Sequence, residues 1–319
     1  MAITRRSAAP EISVVIVAWN GRALLEECLR RLFAQVPEPA FEVIVVDNAS
    51  QDGAPGMVEA RFPDVRLIRA GANLGFAAGN NLGFSHARGD IVLMLNPDAF
   101  LIGTDTISRL ARFLRSHPDH AGVGCKLLYA DGRHQVGDAG HAPTPGSMIV
   151  HGFGLSRLLP GMRGVFLTRI PPTGMVEVDW ISGALFMVRK EVIARVGGLD
   201  AGFFLYAEDV EWGCRIRDAG WRIAYLPEVS AIHVQGGTQD GPADAARAPS
   251  TRWIDAFAEL YRRRNPGRFY AFRFGLGLGF AARAVMFALL SIFPGRRPAL
   301  NRARTMSIFA RHILSMPGN

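Results

Sequence analysis

Continuous apolar runs alternate with amphipathic segments over the first hundred residues. Ile12–Ala18 (ISVVIVA), Phe41–Val46 (FEVIVV) and Ile91–Leu95 (IVLML) are unbroken and rich in β-branched residues. That is the pattern of strands covered on both faces. Val65–Ile68 reads as a shorter strand. Arg22–Phe33 repeats its apolar residues at helical spacing, with Leu25, Cys28, Leu29 and Leu32 on one face, and Ala77–Ala87 predicts a second helix. Strand and helix taken in turn predict an α/β fold: a Rossmann-like, mostly parallel sheet with right-handed crossovers and helices on both faces.

From about Asp131 to Gly174 the pattern dissolves into Gly, Pro, His and Ser, a length of loop expected to cover a substrate. Regularity returns with a strand at Ala184–Val188, a helix at Glu208–Ala219, and strands at Trp221–Tyr225 and Ala231–Val234. A polar linker follows at 238–250. The 319 residues are 49% hydrophobic and 20% charged, as in folded proteins. The net charge of +8 is unevenly placed: residues 1–240 hold 23 basic against 25 acidic side chains, and residues 241–319 hold 13 against 3. A neutral body thus precedes a basic tail that suits an anionic partner. Three scattered cysteines, Cys28, Cys125 and Cys214, form no metal-binding or disulfide pattern and point to a reduced cytoplasmic compartment. Arg5 and Arg6 precede only a strand-length apolar run, without the h-region or cleavage site of a signal peptide.

In an open parallel sheet ligands gather beyond the carboxyl ends of the strands. Three polar groups fall there: Trp19-Asn20, Asp47-Asn48 and Asn96-Pro97-Asp98. Each alone is an ordinary turn former or helix cap; three on one rim make a binding site. The first turn, Ala18-Trp19-Asn20-Gly21-Arg22, lacks GxGxxG, and no GxxxxGK[ST] occurs, which argues against dinucleotide and P-loop sites. Asn96-Pro97-Asp98 offers a carboxylate to a divalent ion bridging a diphosphate. His233, ending a strand, is either structural or a nitrogen ligand, and an imidazole would favour Mn2+ over Mg2+. Glu208, Asp209 and Glu211 open a helix. They either complement its positive end or raise one another's basicity as a catalytic group, walled by Phe203, Phe204, Tyr206 and Trp212. Trp180 is either a platform for a sugar ring or a core residue.

Seven segments occur in order across residues 11–240: VVIVAWNG (Val14–Gly21), EVIVVDNASQDG (Glu42–Gly53), NLGFAAGNNLG (Asn73–Gly83), LNPD (Leu95–Asp98), DWISGALFMVRK (Asp179–Lys190), GGLDAGFFLYAEDVEWGCRIRDAGW (Gly197–Trp221) and HVQGG (His233–Gly237). Together they resemble the inverting family 2 glycosyltransferases of GT-A fold, in their rhamnosyltransferase-like branch. The resemblance implies a nucleotide-binding half at about 1–130 and an acceptor and catalytic half at 131–240. It implies that Ala18, Asn20, Asp47, Asn73, Gly75, Asn80 and Asn96 surround the nucleotide and that Asp98 and His233 hold the metal, Mn2+ or Mg2+. Asp209 would be the general base, with Glu208 positioning it, and Trp180, Ser182, Gly183 and Glu211 would meet sugar or acceptor. The family's Asp-x-Asp is Asn96-Pro97-Asp98 here, one carboxylate fewer, a variant common in this branch. The implied donor is dTDP-L-rhamnose, with UDP-galactofuranose as the alternative, and the implied acceptor is a lipid-linked glycan of cell-envelope polysaccharide synthesis. A nucleotidyltransferase would want a Gly-rich basic loop after the first strand, and a non-catalytic carbohydrate-binding relative would not need Glu208, Asp209 and Asp98.

Residues 241–319 are expected to be a helical tail. Phe274–Phe293 is twenty residues with Arg283 as its one charge, long enough at 1.5 Å per residue to span a bilayer. Arg283 at its centre and nearby glycines count against spanning. Arg262, Arg263, Arg264 and Arg268 on one side and Arg296, Arg297, Arg302 and Arg304 on the other favour a helix lying on an anionic membrane surface. Packing on the body or on a second copy of the chain is the alternative. Nucleic acid is excluded by the lack of interleaved stacking aromatics. The expected place is the cytoplasmic face of the membrane.

Overall fold

The computed structural model describes residues 9–36, 38–159, 161–203, 206–234, 250–293 and 298–318. Phe204, residues 235–237, most of the linker, and Arg5, Arg6, Arg296 and Arg297 lie outside them. The chain runs β1 (Ile12–Ala18), α1 (Arg22–Phe33), β2 (Phe41–Asp47), α2 (Ala54–Arg61), β3 (Arg66–Arg69), α3 (Gly75–His86), β4 (Ile91–Leu95), β5 (Ala99–Leu101), α4 (Thr106–Ser116) and β6 (His120–Leu128). Next come β7 (Ala139–Gly140), α5 (Pro145–Phe153), α6 (Leu155–Leu158), β8 (Val176–Val178), β9 (Trp180–Ile181), β10 (Leu185–Arg189), α7 (Lys190–Val196), α8 (Glu208–Asp218) and β11 (Arg222–His233). Last are α9 (Arg252–Arg264), a π-helical stretch (Ala271–Leu276), α10 (Gly277–Leu290) and α11 (Pro298–Ser315). Two compact units divide them. The first is Met1–Asp138, Pro171–Phe204 and Glu208–Ala243; the second is Ala139–Ile170, Leu205–Ala207 and Asp244–Asn319. Residues 139–170, taken by sequence as part of the catalytic body, thus group with the tail.

In the first unit one sheet is ordered β3-β2-β1-β4-β10-β6-β11-β5, with β8 also on β11. β3, β2, β1 and β4 are parallel; β10 runs antiparallel to β4 and β6; β11 is parallel to β6 and antiparallel to β5. The alternation of a strand sends Val14 and Ile16 into the core with Leu25, Leu29, Met57 and Leu110 of α1, α2 and α4. It sends Val15 and Val17 to the other face, against α3. There a side chain on Gly79 would stand 2.7 Å from Val17 and one on Gly83 would overlap Val15. Glycines four apart on a helix meet valines two apart on a strand, so α3 lies close on β1.

One expectation is corrected, and two elements lack a clear signal in the sequence. Trp221–Tyr225 and Ala231–Val234 are one strand, β11, whose register on β6 shifts between Leu226 and Ser230. Pro227 lies in that interval and has no N–H for the ladder, which is why the pattern breaks there. β6 was missed because Gly122 and Gly124 dilute its apolar run. Side chains there would strike Phe186 and Ile181. α4 was also missed, although Ile107, Leu110, Ala111 and Leu114 are all buried at helical spacing.

In the second unit the stretch expected to be irregular contains α5, opened by a reciprocal cap. Ser147 N–H donates to Thr144 Oγ1 at 3.1 Å and Thr144 N–H to Ser147 Oγ at 2.8 Å, with Pro145 at the first helical position. Gly152 lets α5 touch the backbone at Gly275 and Leu276, and Gly279 meets Gly152 in turn. These glycines were expected to break the apolar run; they bring two helices together instead. α10 and α11 form an antiparallel hairpin, because Gly277 neighbours Ile313 and Leu314 while Arg302 lies over Phe287. His151, Phe166, Trp253, Phe257, Phe280 and Phe309 pack ring against ring as its core.

Candidate active site

Asn96 to Ala99 form the turn joining β4 to β5, with Ala99 N–H donating to the Asn96 carbonyl at 3.0 Å and Pro97 at the second position, which its fixed φ suits. β5 then pairs with the end of β11. Ala99 faces His233, and Val234 N–H donates to the Asp98 carbonyl at 3.0 Å. This ladder brings together two residues 135 positions apart in the chain. His233 Nε2 lies 3.3 Å from Asp98 Oδ1 and 3.3 Å from Asn96 Nδ2. His233 Nδ1 lies 2.8 Å from Gln135 Oε1. An amide oxygen only accepts, so Nδ1 carries a proton, and Nε2 faces the Asn96 amide and the Asp98 carboxylate.

An imidazole nitrogen beside a carboxylate oxygen is a donor pair that fits a divalent cation. Among the described residues no group of three or more His, Cys, Asp or Glu is placed to hold a metal.

Sequence reasoning missed Gln135. It lies in a short return from β6, where Tyr129 N–H donates to the Arg133 carbonyl and Gln135 N–H to the Leu127 carbonyl, each at 2.9 Å. Buried Asp138 anchors that return by accepting from Leu127 N–H at 3.1 Å and Tyr225 O–H at 2.7 Å, with His134 Nε2 at 2.9 Å. Asp131-Gly132 after the apolar run of β6 was a readable turn signal.

The second cluster begins where β10 meets β4. Asn96 N–H donates to the Ala184 carbonyl at 3.0 Å. One residue earlier, Gly183 N–H donates to Asp209 Oδ2 at 3.2 Å, and Val210 N–H holds Asp209 Oδ1 at 2.8 Å. Position 183 must be small, because a side chain there would stand 2.6 Å from Phe76. The chain enters α8 through Tyr206 (φ 71°) and Ala207 (φ 67°), two non-glycine residues in the left-handed region, a strain that functional sites store. Burial raises the Asp209 carboxyl above the ordinary Asp range, opposed by the N–H groups of Gly183 and Val210. Glu208 is 5% exposed and, among the described residues, its Oε2 has no hydrogen-bond partner. Burial, and then the charge of Asp209, raise its carboxyl too. A carboxylate of raised basicity therefore stands two residues along the backbone path from the turn that carries Asp98.

The third cluster lies at the carboxyl ends of β1 and β2, where Ala18 faces Asp47 across the ladder. With strands about 4.8 Å apart, Asp47, Ala18 and the Asn96 turn occupy one rim of three adjacent strands. Asn20, at φ 58°, receives Gln51 N–H on its side-chain oxygen at 2.9 Å and gives its own N–H to Ser50 Oγ at 2.8 Å. Ser50 N–H donates to Asp47 Oδ1 at 3.2 Å. Asn73 Oδ1 accepts Gly75 N–H at 3.0 Å, and Asn48 Nδ2 donates to the Gly75 carbonyl at 3.1 Å, which ties the start of α3 to the rim.

Three expected contacts are placed differently. Trp180 is fully buried, with Gly213 of α8 pressed on it so closely that a side chain at 213 would stand 2.6 Å from its Cβ; it is packing, not a sugar platform. Glu211 is held by Arg215 at 2.7 and 2.9 Å, and Arg215 also donates to the carbonyls of Val196 and Gly198. Through Arg215 its carboxylate braces the loop after Val196. Asn80 is buried and turns its amide back to the Phe76 carbonyl at 2.9 Å. Ser182 remains half-buried at the turn before Gly183, its Oγ accepting Ala184 N–H at 3.3 Å.

Residues 13–193 match the family model described as glycosyl transferase family 2. The N-acetylglucosaminyl-diphospho-decaprenol L-rhamnosyltransferase of Mycobacterium tuberculosis is 29% identical over 243 residues, covering 70% of this chain and 75% of that protein. Rhamnosyltransferase WbbL of Escherichia coli is 25% identical, over 70% of this chain and 83% of its own. The hexosyltransferase Agl10 of low-salt glycan biosynthesis in Haloferax volcanii is 27% identical, over 76% and 71%. Among solved structures, the mannosyltransferase PcManGT of Pyrobaculum calidifontis, in complex with GDP-Man and Mn2+, has a TM-score of 0.56 at 21% identity, covering 97% of this chain and 88% of that one. GalNAc-T7, solved with UDP, GalNAc and Mn2+, has a TM-score of 0.56 at 14% identity, over 81% and 51%.

Proposed function

The chain belongs to glycosyl transferase family 2, and we propose that it transfers L-rhamnose from dTDP-L-rhamnose, with inversion, to a lipid-linked glycan at the cytoplasmic face of the membrane. Two relatives named as rhamnosyltransferases support the sugar, and the decaprenol in the name of one supports the lipid-linked acceptor. The observation that carries the reading is the short path from Asp209 through Gly183 and Ala184 to Asn96 and Asp98. It links Asp209 to the turn whose groups would receive the donor's diphosphate.

Asp47 and Asn20 would hold the ribose and base, at the rim where β1 and β2 end. Asp98 and His233 would hold a divalent cation, whose chemistry when bound is to neutralise charge on the departing nucleoside diphosphate. The Mn2+ in two structurally similar proteins supports its use here. Asp209 takes the proton from the acceptor hydroxyl. The oxygen forms its bond to the anomeric carbon as the bond to the diphosphate oxygen breaks on the opposite face, inverting the centre. Gly183 N–H keeps Asp209 pointed at the acceptor, and burial keeps its carboxylate basic.

Thermal shift and transfer assays against a panel of sugar nucleotides test the donor: dTDP-L-rhamnose is expected to stabilise and react best. Preference for UDP-galactofuranose would replace that donor and leave the transferase reading standing. Full transfer in EDTA would remove the metal role of Asp98 and His233.

A further inference from the structure

The apolar run Phe274–Phe293 is mostly uncovered: its helix has mean hydropathy 1.5, but only 28% of its most apolar window is buried. A core helix of that composition would be enclosed. The exposed residues keep to one face. Phe274, Leu278, Val285, Leu289 and Ile292 recur at helical spacing and are 49–76% exposed, while Phe272, Leu276, Phe280 and Ala284 on the opposite face are buried. The stripe continues sideways onto α5, because Ile149 abuts Gly275 and is itself exposed.

Arg283, the charge expected to spoil this surface, turns inward. Its guanidinium reaches the His151 carbonyl in the last turn of α5 at 3.4 Å and lies 5.5 Å from the Phe280 ring centre, where a helix C-terminus favours a cation. The outward face of the run therefore carries no charge. Beside it, α11 exposes Leu300, Arg304, Ile308 and Arg311 at spacings of four, four and three, a mixed aliphatic and cationic stripe. The whole unit holds 16 Arg against 3 acidic residues, with no acid at all in residues 139–170.

We propose that this face of the second unit docks on an anionic phospholipid bilayer, lying in the interface rather than crossing it. The apolar stripe, about 30 Å long at helical rise, would enter the acyl boundary, and the arginines would meet lipid phosphates. The inner side of α10 is already occupied by α11 and α5, so the helix has one free face, as an interfacial helix needs. Such docking would give the proposed lipid-linked acceptor its surface, and it rests on the transferase reading only for its purpose.

Flotation of the full chain with vesicles, without any sugar donor, tests it. Binding is expected to vesicles containing phosphatidylglycerol, at least tenfold weaker to pure phosphatidylcholine, and weakened by salt. Leu289→Glu with Ile292→Glu should abolish binding to both. Arg304→Glu with Arg311→Glu should remove the preference for the anionic vesicles. Donor hydrolysis in solution and the circular dichroism spectrum should be unchanged in all variants, so a failure here is distinguishable from failure of the transferase reading. No flotation with any vesicle would overturn the proposal. So would a wild-type dimer that the Leu289→Glu, Ile292→Glu variant converts to monomer without any vesicle binding, since the face would then join two copies of the chain.

Discussion

The two units spend their apolar residues in opposite ways. In the first, Val15, Ile44, Leu93 and Met187 are wholly enclosed between sheet and helices. In the second, the described residues include fifteen of the twenty large hydrophobic side chains that stand exposed. Acid distribution differs as well: the first unit buries Asp47, Asp98, Asp138 and Glu208, and the second is nearly free of acid. A protein that exposes this much apolar surface in one region and none comparable in the other has a use for it there. The two proposals follow that division: they assign chemistry to the unit with buried carboxylates and surface attachment to the unit with exposed aliphatics.

The largest effect expected belongs to the first unit. Asp209→Asn should lower turnover by about 10³-fold or more, within the range for a lost general base, with nucleotide affinity by calorimetry changed less than threefold. Retained turnover would remove Asp209 as the base. Next, two leucines sharpen the contrast directly. Leu93→Ala should cost about 2–5 kcal/mol in denaturant unfolding, whereas Leu289→Ala should change stability by less than about 0.5 kcal/mol. Equal losses would mean that α10 is covered after all.

Gln135 offers a third, smaller test. Removing its oxygen with Gln135→Leu frees the His233 ring to place its proton on Nε2, toward Asp98. Mn2+ affinity, read by electron paramagnetic resonance in the presence of dTDP, should fall about tenfold, as for partners that orient metal-binding histidines. The 15N spectrum of the metal-free protein should show His233 leaving the Nδ1–H form. An unchanged tautomer would leave Gln135 a structural residue.

The smallest effect concerns pH. The folded Glu208 carboxyl lies above its ordinary value, so the native state binds more protons than the unfolded chain between the two values, and stability falls as pH rises through that interval. Each tenfold rise in a group's proton affinity on folding is worth about 1.4 kcal/mol once the proton is lost. Glu208→Gln should therefore be more stable than the parent at pH 8–9, by about 1 kcal/mol or more, and no more stable below pH 4. A variant equally stable at all pH values would show that burial does not perturb Glu208.

Local patterns carried much of this protein in its sequence. Ile12–Ala18, Phe41–Val46 and Ile91–Leu95 read as doubly covered strands, because a continuous β-branched run has no polar face to offer water. The acids after them could only fall on the carboxyl rim of a parallel sheet. The tail's charge and apolar run were equally plain. What tertiary structure alone decided were matters of long-range pairing. The β5–β11 ladder brings His233 to Asp98, and the return after β6 brings Gln135 to His233. Packing of α8 buries Trp180, and the approach of α5 gives Arg283 a carbonyl partner. Hydrophobic periodicity reports whether a residue faces inward, and that is set within a few residues of chain. Which partner it meets there depends on strands and helices far along the sequence, and no local spacing encodes that choice.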